Sequence, residues 1–383
     1  MNEFVYQPTA SWIKDSHFAH LAKKAGKSSP EDLLKWSQEN LEAFWNMALN
    51  DIGLRWRKPF DKLLASSLPW PQWATNGEIS IVENCIDRHA EISPQSLALI
   101  FEADEENQTE KWTYADLQHH SSFVAHELLK AGAKPGDRAA LLMPMSPEMV
   151  ASFFGILRAG LTVTPIFSGY GADAIAARLQ DAEVKFVFIQ EKTTRRGKEV
   201  PVATTLKEAL STCPSVRKTF VWNRNDFKSG GHKEVTAFPS VTMSAEQECL
   251  LLYTSGTTGK PKACVHTPFG VLATTGKELR YGFDVKKNDR FFWYTDIGWM
   301  MGPWELLGVL QFGATVVLYE GVPDFPTANR LWDILEKHNV THLGISPTAV
   351  RVLKKTAPDG PDKYAFSDLR ILGSTGEPWD EET

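Results

Sequence analysis

Residues 253–262 read Tyr253-Thr-Ser-Gly-Thr-Thr-Gly-Lys-Pro-Lys262, and they follow an apolar run, Cys249–Tyr253, that predicts a buried strand. Glycines let main-chain N–H groups turn toward an anion, and hydroxyls and lysines bind phosphate oxygens. The stretch therefore predicts a phosphate-binding loop at the end of a strand. It is not the Walker A pattern GxxxxGKS/T, because Thr254 stands at the first glycine position and Pro261 follows Lys260. From composition alone, a flexible glycine turn between two strands is the alternative.

Apolar runs of strand length alternate with stretches of helix length from about Asn76 onward. The predicted strands are Leu97–Ala103, Arg138–Met145, Leu161–Phe167, Val184–Gln190, Val216–Trp222, Cys249–Tyr253, Arg290–Tyr294, Thr315–Tyr319, Thr341–Ile345 and Leu369–Leu372. The predicted helices are Thr113–Lys130, Ser146–Gly160, Ala172–Asp181, Pro268–Leu279, Pro303–Leu310, Thr327–His338 and Pro347–Lys355. Residues 191–215 are polar and predict a loop with one short helix. The alternation predicts an α/β fold of layered parallel sheets flanked by helices, joined by right-handed crossovers.

The first 75 residues differ from the rest of the chain. Six of the 13 tryptophans lie there, and Ser29-Pro30-Glu31-Asp32 is typical of a helix start, with a capping hydroxyl, an early proline and acids in the first turn. We predict a mostly helical segment over residues 1–75 that packs on a larger domain. That α/β domain is expected to cover residues 76–383, with two subdomains at about 76–245 and 246–383.

The composition excludes several classes of function. The 383 residues carry 41 Lys and Arg against 47 Asp and Glu, a net charge of −6, which argues against a nucleic-acid binder. The four cysteines form no CxxC pair, and scattered thiols fit a reducing compartment. The N-terminus lacks a signal-peptide pattern, and the most apolar stretch, residues 149–167, predicts helix, turn and strand rather than a membrane span. We expect a cytoplasmic protein that binds small molecules, with no nucleic-acid or membrane partner.

The glycine-rich stretch also resembles a known family. Residues 254–262 are similar to the phosphate loop of the AMP-forming, adenylate-forming synthetases, which include acyl-CoA synthetases, luciferases and peptide-synthetase adenylation domains. Ala263-Cys264 departs from the glycine-plus-aliphatic pair usual at that point. The resemblance implies catalytic roles for Thr254 and Lys262. It implies that the nucleotide phosphates are bound by Thr254, Ser255, Gly256, Thr257, Thr258, Gly259, Lys260 and Lys262.

A second similar motif is Gly373-Ser-Thr-Gly-Glu-Pro378, directly after the predicted strand Leu369–Leu372. Ligands of open α/β sheets bind at the carboxyl ends of strands, so the motif is well placed. In the family this triplet lies against the adenine and ribose. The resemblance therefore implies adenosine contacts for Gly376, Glu377 and Pro378, although a lone Gly-Glu-Pro is usually an ordinary turn.

A third set of motifs narrows the resemblance to acetyl-CoA synthetase and its close relatives. The set comprises Tyr294–Gly302, Tyr319–Pro326, Trp36–Trp45 and Ile81–His89. The resemblance implies that Trp299 walls an acyl pocket, with Met300, Met301 and Thr375 beside it. The two methionines replace a valine and a threonine, and methionine lines irregular pockets. Acetate, propionate, a hydroxylated short acid and acetoacetate therefore stay open as substrates.

Coenzyme A (CoA) carries a 3′-phosphate that needs cationic partners. The basic stretch Arg195-Arg196-Gly197-Lys198 supplies three charges, although taken alone it also fits a solvated surface. Phe167-Ser168-Gly169-Tyr170 is similar to a Phe-Gly-Gly-Phe turn that contacts CoA in relatives, and Ser168 departs from glycine. The CoA contacts that the resemblance implies are Phe167, Gly169, Arg195, Arg196, Lys198, Met301 and Asp324.

The resemblance implies an acid–thiol ligase that uses ATP, CoA and Mg²⁺. The carboxylate would attack the α-phosphorus of ATP, and the CoA thiol would then displace AMP. The magnesium-binding glutamate and the catalytic lysine of the family are expected beyond Thr383, so residues 1–383 resemble an N-terminal portion that alone completes neither half-reaction, and no metal ligand is assigned. Two alternatives stay open: a non-catalytic nucleotide- or CoA-binding module, and an adenylating enzyme that loads a carrier-protein thiol.

Overall fold

The structure, a computed structural model, describes residues 7–66, 69–104, 108–223, 226–227, 238–254 and 261–380. In these residues the chain forms two six-stranded sheets with helices packed against them, preceded by a mostly helical segment. The predicted α/β class with layered parallel sheets is confirmed. No described helix is both long enough and apolar enough to cross a membrane.

The N-terminal segment is built from short elements. Its helices are α1 Ala10–Asp15, α2 His17–Lys24, α3 Pro30–Glu39 and α4 Leu41–Ile52. Its strands are β1 Trp56–Lys58, β2 Lys62–Leu64, β3 Trp73–Thr75 and β4 Glu78–Ile79. The predicted helix start at Ser29 is confirmed, because the Ser29 hydroxyl accepts a hydrogen bond from the Asp32 N–H at 3.1 Å.

The α/β region contains the remaining elements. Its strands are β5 Leu97–Glu102, β6 Thr109–Thr113, β7 Arg138–Leu142, β8 Thr162–Pro165, β9 Phe186–Ile189, β10 Thr193–Arg195, β11 Lys198–Val200, β12 Lys218–Val221, β13 Met243–Ser244, β14 Leu250–Thr254, β15 Lys262–His266, β16 Arg290–Trp293, β17 Thr315–Tyr319, β18 His342–Gly344 and β19 Ile371–Gly373. Its α-helices are α5 Arg88–Ile92, α6 Tyr114–Lys130, α7 Pro147–Arg158, α8 Ala172–Asp181, α9 Val202–Leu210, α10 Pro268–Lys277, α11 Met301–Gln311, α12 Arg330–Lys337 and α13 Pro347–Thr356.

Each large sheet consists of five parallel strands and one antiparallel edge strand. The first sheet has the order β12-β9-β7-β8-β14-β15, and β15 is its antiparallel edge. The second has the order β19-β18-β16-β17-β5-β6, with β6 antiparallel. Strands β5 and β6 precede the first sheet in the chain, whereas β14 and β15 follow residue 245. The sheets are thus interleaved along the chain, and the division at residue 245 stays a prediction about subdomains.

The sequence analysis missed several elements, including the hairpin β10–β11 and strand β15. Residues 191–215, predicted as a loop with one helix, contain α9 but also the hairpin β10–β11. Its two-residue turn is Arg196-Gly197, and both residues have positive φ, 53° and 68°, as the tight hairpin turn requires. Strand β15 was also missed, because it is an edge strand whose Val265 is 60% exposed and whose polarity hides the pattern.

Several predicted strands end earlier than expected at their carboxyl ends. The run Arg138–Met145 leaves the sheet after Leu142, and Leu161–Phe167 leaves it after Pro165. The apolar pattern continues past the last ladder hydrogen bond because residues 143–145 and Ile166 are buried in the turns beyond the sheet. Those turns line a cavity at the carboxyl ends of the strands.

A buried carboxylate fastens the second sheet to helix α12. Glu102, at the end of β5, is fully buried and accepts hydrogen bonds from Arg330 (2.8 Å), Lys337 (2.6 Å), His338 (2.6 Å) and Thr109 (2.5 Å). Burial alone would raise the pKa of Glu102, but these donors together hold it well below its ordinary value of 4.5. Glu102 therefore stabilises the fold as a carboxylate.

We expect Glu102→Gln to lower the free energy of unfolding at pH 7 by about 2 kcal/mol, since an amide satisfies these donors poorly. Because the folded pKa is depressed, the stabilisation is complete above pH 4.5 and is lost as the pH falls below it. Denaturant unfolding at pH 7 and at pH 3.5 should show a smaller acid-induced loss in the variant than in the parent. Glu39→Gln, at an exposed position, is the control, and equal acid-induced losses in parent and Glu102→Gln would contradict the assignment.

Candidate active site

A cavity of about 550 Å³ lies where the carboxyl ends of strands from both sheets meet. Its walls are the turns after β7, β8, β16, β17, β18 and β19, with the hairpin strand β10 along one side. The lining residues are Pro144, Met145, Phe167, Ser168, Thr193–Arg195, Trp293–Asp296, Trp299–Met301, Tyr319–Gly321, Ser346, Thr375 and Gly376. Open α/β sheets bind ligands at this edge of their strands.

Three helices begin at this cavity. Helix α7 starts after Met145 and is capped by Ser146, α11 starts at Met301, and α13 is capped by Ser346. The N-terminus of a helix carries partial positive charge and unpaired N–H groups, so it favours anions. At α13 the Thr348 N–H is already bonded to the Glu377 carboxylate, so the N-termini of α7 and α11 are the ones that face a ligand. The cavity is therefore suited to carboxylate and phosphate groups although the chain is acidic overall.

The predicted acyl-pocket residues come together on one wall. Trp299, Met300, Met301 and Thr375 all line the cavity. The Trp299 ring is 46% exposed and lies 5.3 Å from the Phe167 ring, centroid to centroid. Two aromatic rings and two methionines thus form an apolar surface beside the helix N-termini. Their role as an acyl pocket stays a prediction.

A carboxyl group in this cavity was missed by the sequence analysis. Asp296 follows β16 and accepts hydrogen bonds from the Ser168 hydroxyl at 2.6 Å and from the Gly298 N–H at 2.9 Å. Burial raises the pKa of Asp296 despite these two hydrogen bonds. The signal was available, because Asp296 lies in the quoted motif at the carboxyl end of a predicted strand. The other lining residues that were not singled out are Pro144, Met145, Thr193, Thr194, Trp293, Tyr294, Thr295, Tyr319, Glu320, Gly321 and Ser346.

The predicted CoA-contacting residues are partly brought together. Arg195 and Phe167 line the cavity, and Lys198 is the cross-strand neighbour of Arg195. Gly169 does not line the cavity, but a Cβ there would lie 2.6 Å from the Phe167 ring, so glycine allows that ring to fold over the turn. The hairpin thus presents two of the three basic side chains along one edge.

Asp104 and Asp324 hold the tip of the hairpin to the second sheet. Arg196 Nη2 lies 2.6 Å from Asp324 Oδ1, and the Gly197 N–H donates to Asp104 Oδ2 at 2.9 Å. Arg196 and Asp324 were both predicted to contact CoA, and here they form an ion pair with each other. The carboxylate raises the pKa of Arg196. A phosphate that binds Arg196 must therefore compete with Asp324.

The predicted phosphate loop is described only at its two ends. Residues Ser255, Gly256, Thr257, Thr258, Gly259 and Lys260 lie outside the described residues. Thr254 ends β14 and Lys262 begins β15, and the two are register partners across the antiparallel pair. Both are exposed. Since β14 runs parallel to β8, this end of the hairpin lies at the same edge of the sheet as the cavity.

The Gly-Glu-Pro turn lies beside the cavity but directs its carboxylate elsewhere. Gly376 lines the cavity and has a φ of 103°, which favours glycine. Glu377 accepts hydrogen bonds from the Thr348 hydroxyl, from the Thr348 N–H at 2.7 Å and from Arg351 at 3.1 Å. These donors lower the pKa of Glu377. Pro378 is exposed and does not line the cavity. The adenosine contacts of this turn stay predictions.

The described residues offer no cluster of three or more His, Cys, Asp or Glu side chains arranged to hold a metal ion. A magnesium site formed by protein carboxylates therefore does not fit this part of the molecule.

Comparisons with known proteins agree with this arrangement. The AMP-binding enzyme family matches residues 86–383, and the acetyl-coenzyme A synthetase N-terminus family matches residues 31–85. Acetyl-coenzyme A synthetase of Laribacter hongkongensis is 34% identical, over 99% of this chain and 60% of that protein. Acetyl-coenzyme A synthetase 2 of Debaryomyces hansenii is 36% identical, over 91% of this chain and 54% of that protein.

A solved structure shares the fold. The acetoacetyl-CoA synthetase from Streptomyces lividans matches with a TM-score of 0.91 and 26% identity, over 98% of this chain and 60% of that chain. The present chain thus spans about 54–60% of the length of these relatives. The resemblance identified from the motifs is confirmed: the chain belongs to the AMP-binding enzyme family and is similar to acetyl-CoA synthetases.

Proposed function

We propose that the protein containing this chain activates a short carboxylic acid with ATP and transfers the acyl group to CoA. The observation that carries the proposal is the cavity itself, in which an apolar aromatic wall stands beside the N-termini of helices α7 and α11. The apolar wall suits the carbon chain of a small acid. The helix N-termini suit its carboxylate and the nucleotide phosphate that it attacks.

The first half-reaction joins these two groups. A carboxylate oxygen attacks the α-phosphorus of ATP, the bond to the β-phosphate oxygen breaks, and pyrophosphate leaves. The protein contributes chiefly by positioning and by stabilising developing charge. Thr254 and Lys262, at the ends of the phosphate loop, are proposed to bind the polyphosphate. Mg²⁺ would accompany ATP and offset its charge.

The second half-reaction forms the thioester. The CoA thiol gives up its proton and attacks the acyl carbonyl, and AMP leaves with the electron pair of the broken anhydride bond. The hairpin β10–β11 lies along the cavity with Arg195 and Lys198 at its edge. We propose that these cations bind the phosphates of CoA, since arginine and lysine are common phosphate ligands.

Acid-dependent ATP–pyrophosphate exchange tests the first half-reaction. Acetate, propionate and acetoacetate should each be compared with an eight-carbon acid, and exchange is expected with the short acids only. The acyl product is then captured with CoA to test the second half-reaction. Exchange that does not depend on any added acid would contradict the proposal.

We expect Trp299→Gly to shift the preference toward longer acids. Removing the indole opens space that extra methylenes can fill, and each methylene contributes about tenfold or more to discrimination in an apolar pocket. The kcat/KM for a six-carbon acid should rise about tenfold, while that for acetate falls. Trp70→Gly, at an 86% exposed position, is the control. An unchanged chain-length profile would show that Trp299 does not wall the acyl site.

We expect Asp324→Asn to tighten CoA binding about threefold at low salt. The substitution frees Arg196 from its ion pair, and a charge pair whose arginine is half-exposed to solvent is worth about 1 kcal/mol or less. Calorimetric titration should be carried out with CoA and with dephospho-CoA, which lacks the 3′-phosphate. If the freed Arg196 binds that phosphate, the variant should bind CoA more tightly and dephospho-CoA as the parent does. Weaker CoA binding in the variant would mean that Asp324 itself contacts the ligand.

A further inference from the structure

A hydrogen bond joins the two sheets across one corner of the cavity. Ser168 lies in the turn after β8 of the first sheet, and Asp296 lies in the loop after β16 of the second. The Ser168 hydroxyl donates to Asp296 Oδ2 at 2.6 Å, and both residues line the cavity. Glycine, which stands at this position in the similar Phe-Gly-Gly-Phe turn, has no hydroxyl with which to make this contact.

Asp296 also organises the loop that carries Trp299. Its Oδ1 accepts from the Gly298 N–H at 2.9 Å, and its main-chain carbonyl accepts from the Trp299 N–H at 3.0 Å. The Trp299 carbonyl in turn accepts from the Gly302 N–H at 3.0 Å, in the first turn of α11. The tryptophan therefore sits on a loop that is held by the Asp296 carboxyl group and by two main-chain hydrogen bonds.

The turn and the loop touch directly on either side of the Ser168–Asp296 hydrogen bond. A Cβ on Gly298 would lie 2.2 Å from the main-chain N of Phe167, so the two backbones are in close contact there. The Trp299 and Phe167 rings face each other with centroids 5.3 Å apart. A shift of the loop relative to the turn would change all of these contacts together.

We propose that Ser168 and Asp296 are positioning residues that fix the Trp299 wall and so set the size of acid the cavity accepts. The proposal rests on the acid-activating function inferred above. The Ser168 hydroxyl holds the loop against the turn through its hydrogen bond to Asp296. The side chain of Asp296 then holds the Gly298 N–H, and its main-chain carbonyl holds the Trp299 N–H. Neither residue needs to touch the reacting atoms.

The position of Trp299 can be followed without any activity. The chain is labelled with 5-fluorotryptophan, and the Trp299 signal is assigned by its loss in Trp299→Phe. Ser168→Gly should shift or broaden the Trp299 fluorine signal, while the other signals report that the protein is folded. Ser168→Thr keeps the hydroxyl and should restore the parent signal. Ser211→Gly, at an exposed serine, is the matched control.

Asp296→Asn gives an independent variant. An amide has one accepting oxygen, so Ser168 Oγ and the Gly298 N–H can no longer each donate to a separate carboxylate oxygen. Either the Ser168 hydroxyl reverses and accepts from the amide NH2, or one of the two donors loses its acceptor. The Trp299 signal should therefore move in this variant also. An unmoved Trp299 signal in both Ser168→Gly and Asp296→Asn, or a moved signal that Ser168→Thr does not restore, would overturn the proposal.

The effect of these variants on activity is measured by acid-dependent pyrophosphate exchange in the intact enzyme. Loss of one hydrogen bond at the wall should raise the KM for a short acid about fivefold in Ser168→Gly and leave the KM for ATP unchanged. Equal changes in both KM values would indicate general damage and would overturn the proposal. If the parent shows no acid-dependent exchange, the proposed function fails, and the fluorine signals alone decide whether Ser168 and Asp296 position Trp299.

Discussion

Replacing Lys262 with alanine should lower acid-dependent pyrophosphate exchange by about 10²–10³-fold, the usual cost of removing one preorganised charge-stabilising donor. Lys262 is the first residue of β15 and the register partner of Thr254, so it stands at the base of the predicted phosphate loop. Its side chain is exposed at the edge of the sheet where the cavity lies. There it can offset the negative charge that builds up on the leaving pyrophosphate.

The effect should be confined to the nucleotide step. CoA is expected to contact the hairpin β10–β11 on another part of the cavity wall, so calorimetric titration with CoA should give the same dissociation constant for parent and Lys262→Ala. Lys207→Ala, which removes another exposed lysine, on α9, is the matched control for charge. Similar losses in exchange and in CoA binding would show that the loop has been assigned to the wrong ligand.

Local rules predicted the elements of this fold well. Ser29, Thr113 and Ser146 were identified as helix starts, and each side chain accepts a hydrogen bond from an N–H in the first turn. Helix α8 and strand β17 were predicted at their exact bounds. Helix capping and apolar periodicity depend on residues that are close in sequence, so both can be recognised from the sequence alone.

The order of strands in the sheets could not be read in the same way. Strand β5 pairs with β17, more than two hundred residues later, and β8 pairs with β14 across residue 245. All of these strands are apolar runs of similar length, so the residues give no preference for one partner over another. The hairpin β10–β11 was missed for a different reason, since its residues are polar and its turn is Arg-Gly rather than an Asn-Gly or Asp-Gly pair.

The site was predicted as separate motifs, and the structure shows how several of them meet. Trp299, Thr375 and Arg195 come from three distant parts of the chain and line one cavity. The sequence analysis did not predict Asp296 as a site residue, although it lies three residues before Trp299 in the same motif. It also treated Ser168 only as a departure from glycine, whereas its hydroxyl makes a specific contact with Asp296.

Gly298→Ala should destabilise the protein more than the addition of one methyl group usually does. The added methyl carbon would lie 2.2 Å from the main-chain N of Phe167 and 2.4 Å from its Cα, distances that Cβ atoms do not tolerate. A side chain could rotate away from such a clash, but a backbone must move as a whole. We expect the free energy of unfolding to fall by about 3 kcal/mol, at the upper end of the usual cost of overpacking.

The displaced loop carries Asp296 and Trp299, so Gly298→Ala should also reduce acid-dependent exchange by about 10²-fold, because misplacing reacting groups by about 1 Å has that cost. Gly171→Ala is the matched control: Gly171 has an ordinary φ of −75° and a Cβ there would meet no atom within 4 Å. Denaturant unfolding and exchange are measured on both variants. If Gly298→Ala behaves like Gly171→Ala in both assays, the loop and the turn are not held in the close contact that the cavity requires. If stability falls but exchange does not, the loop is a packing element, and Trp299 does not bound the acid site.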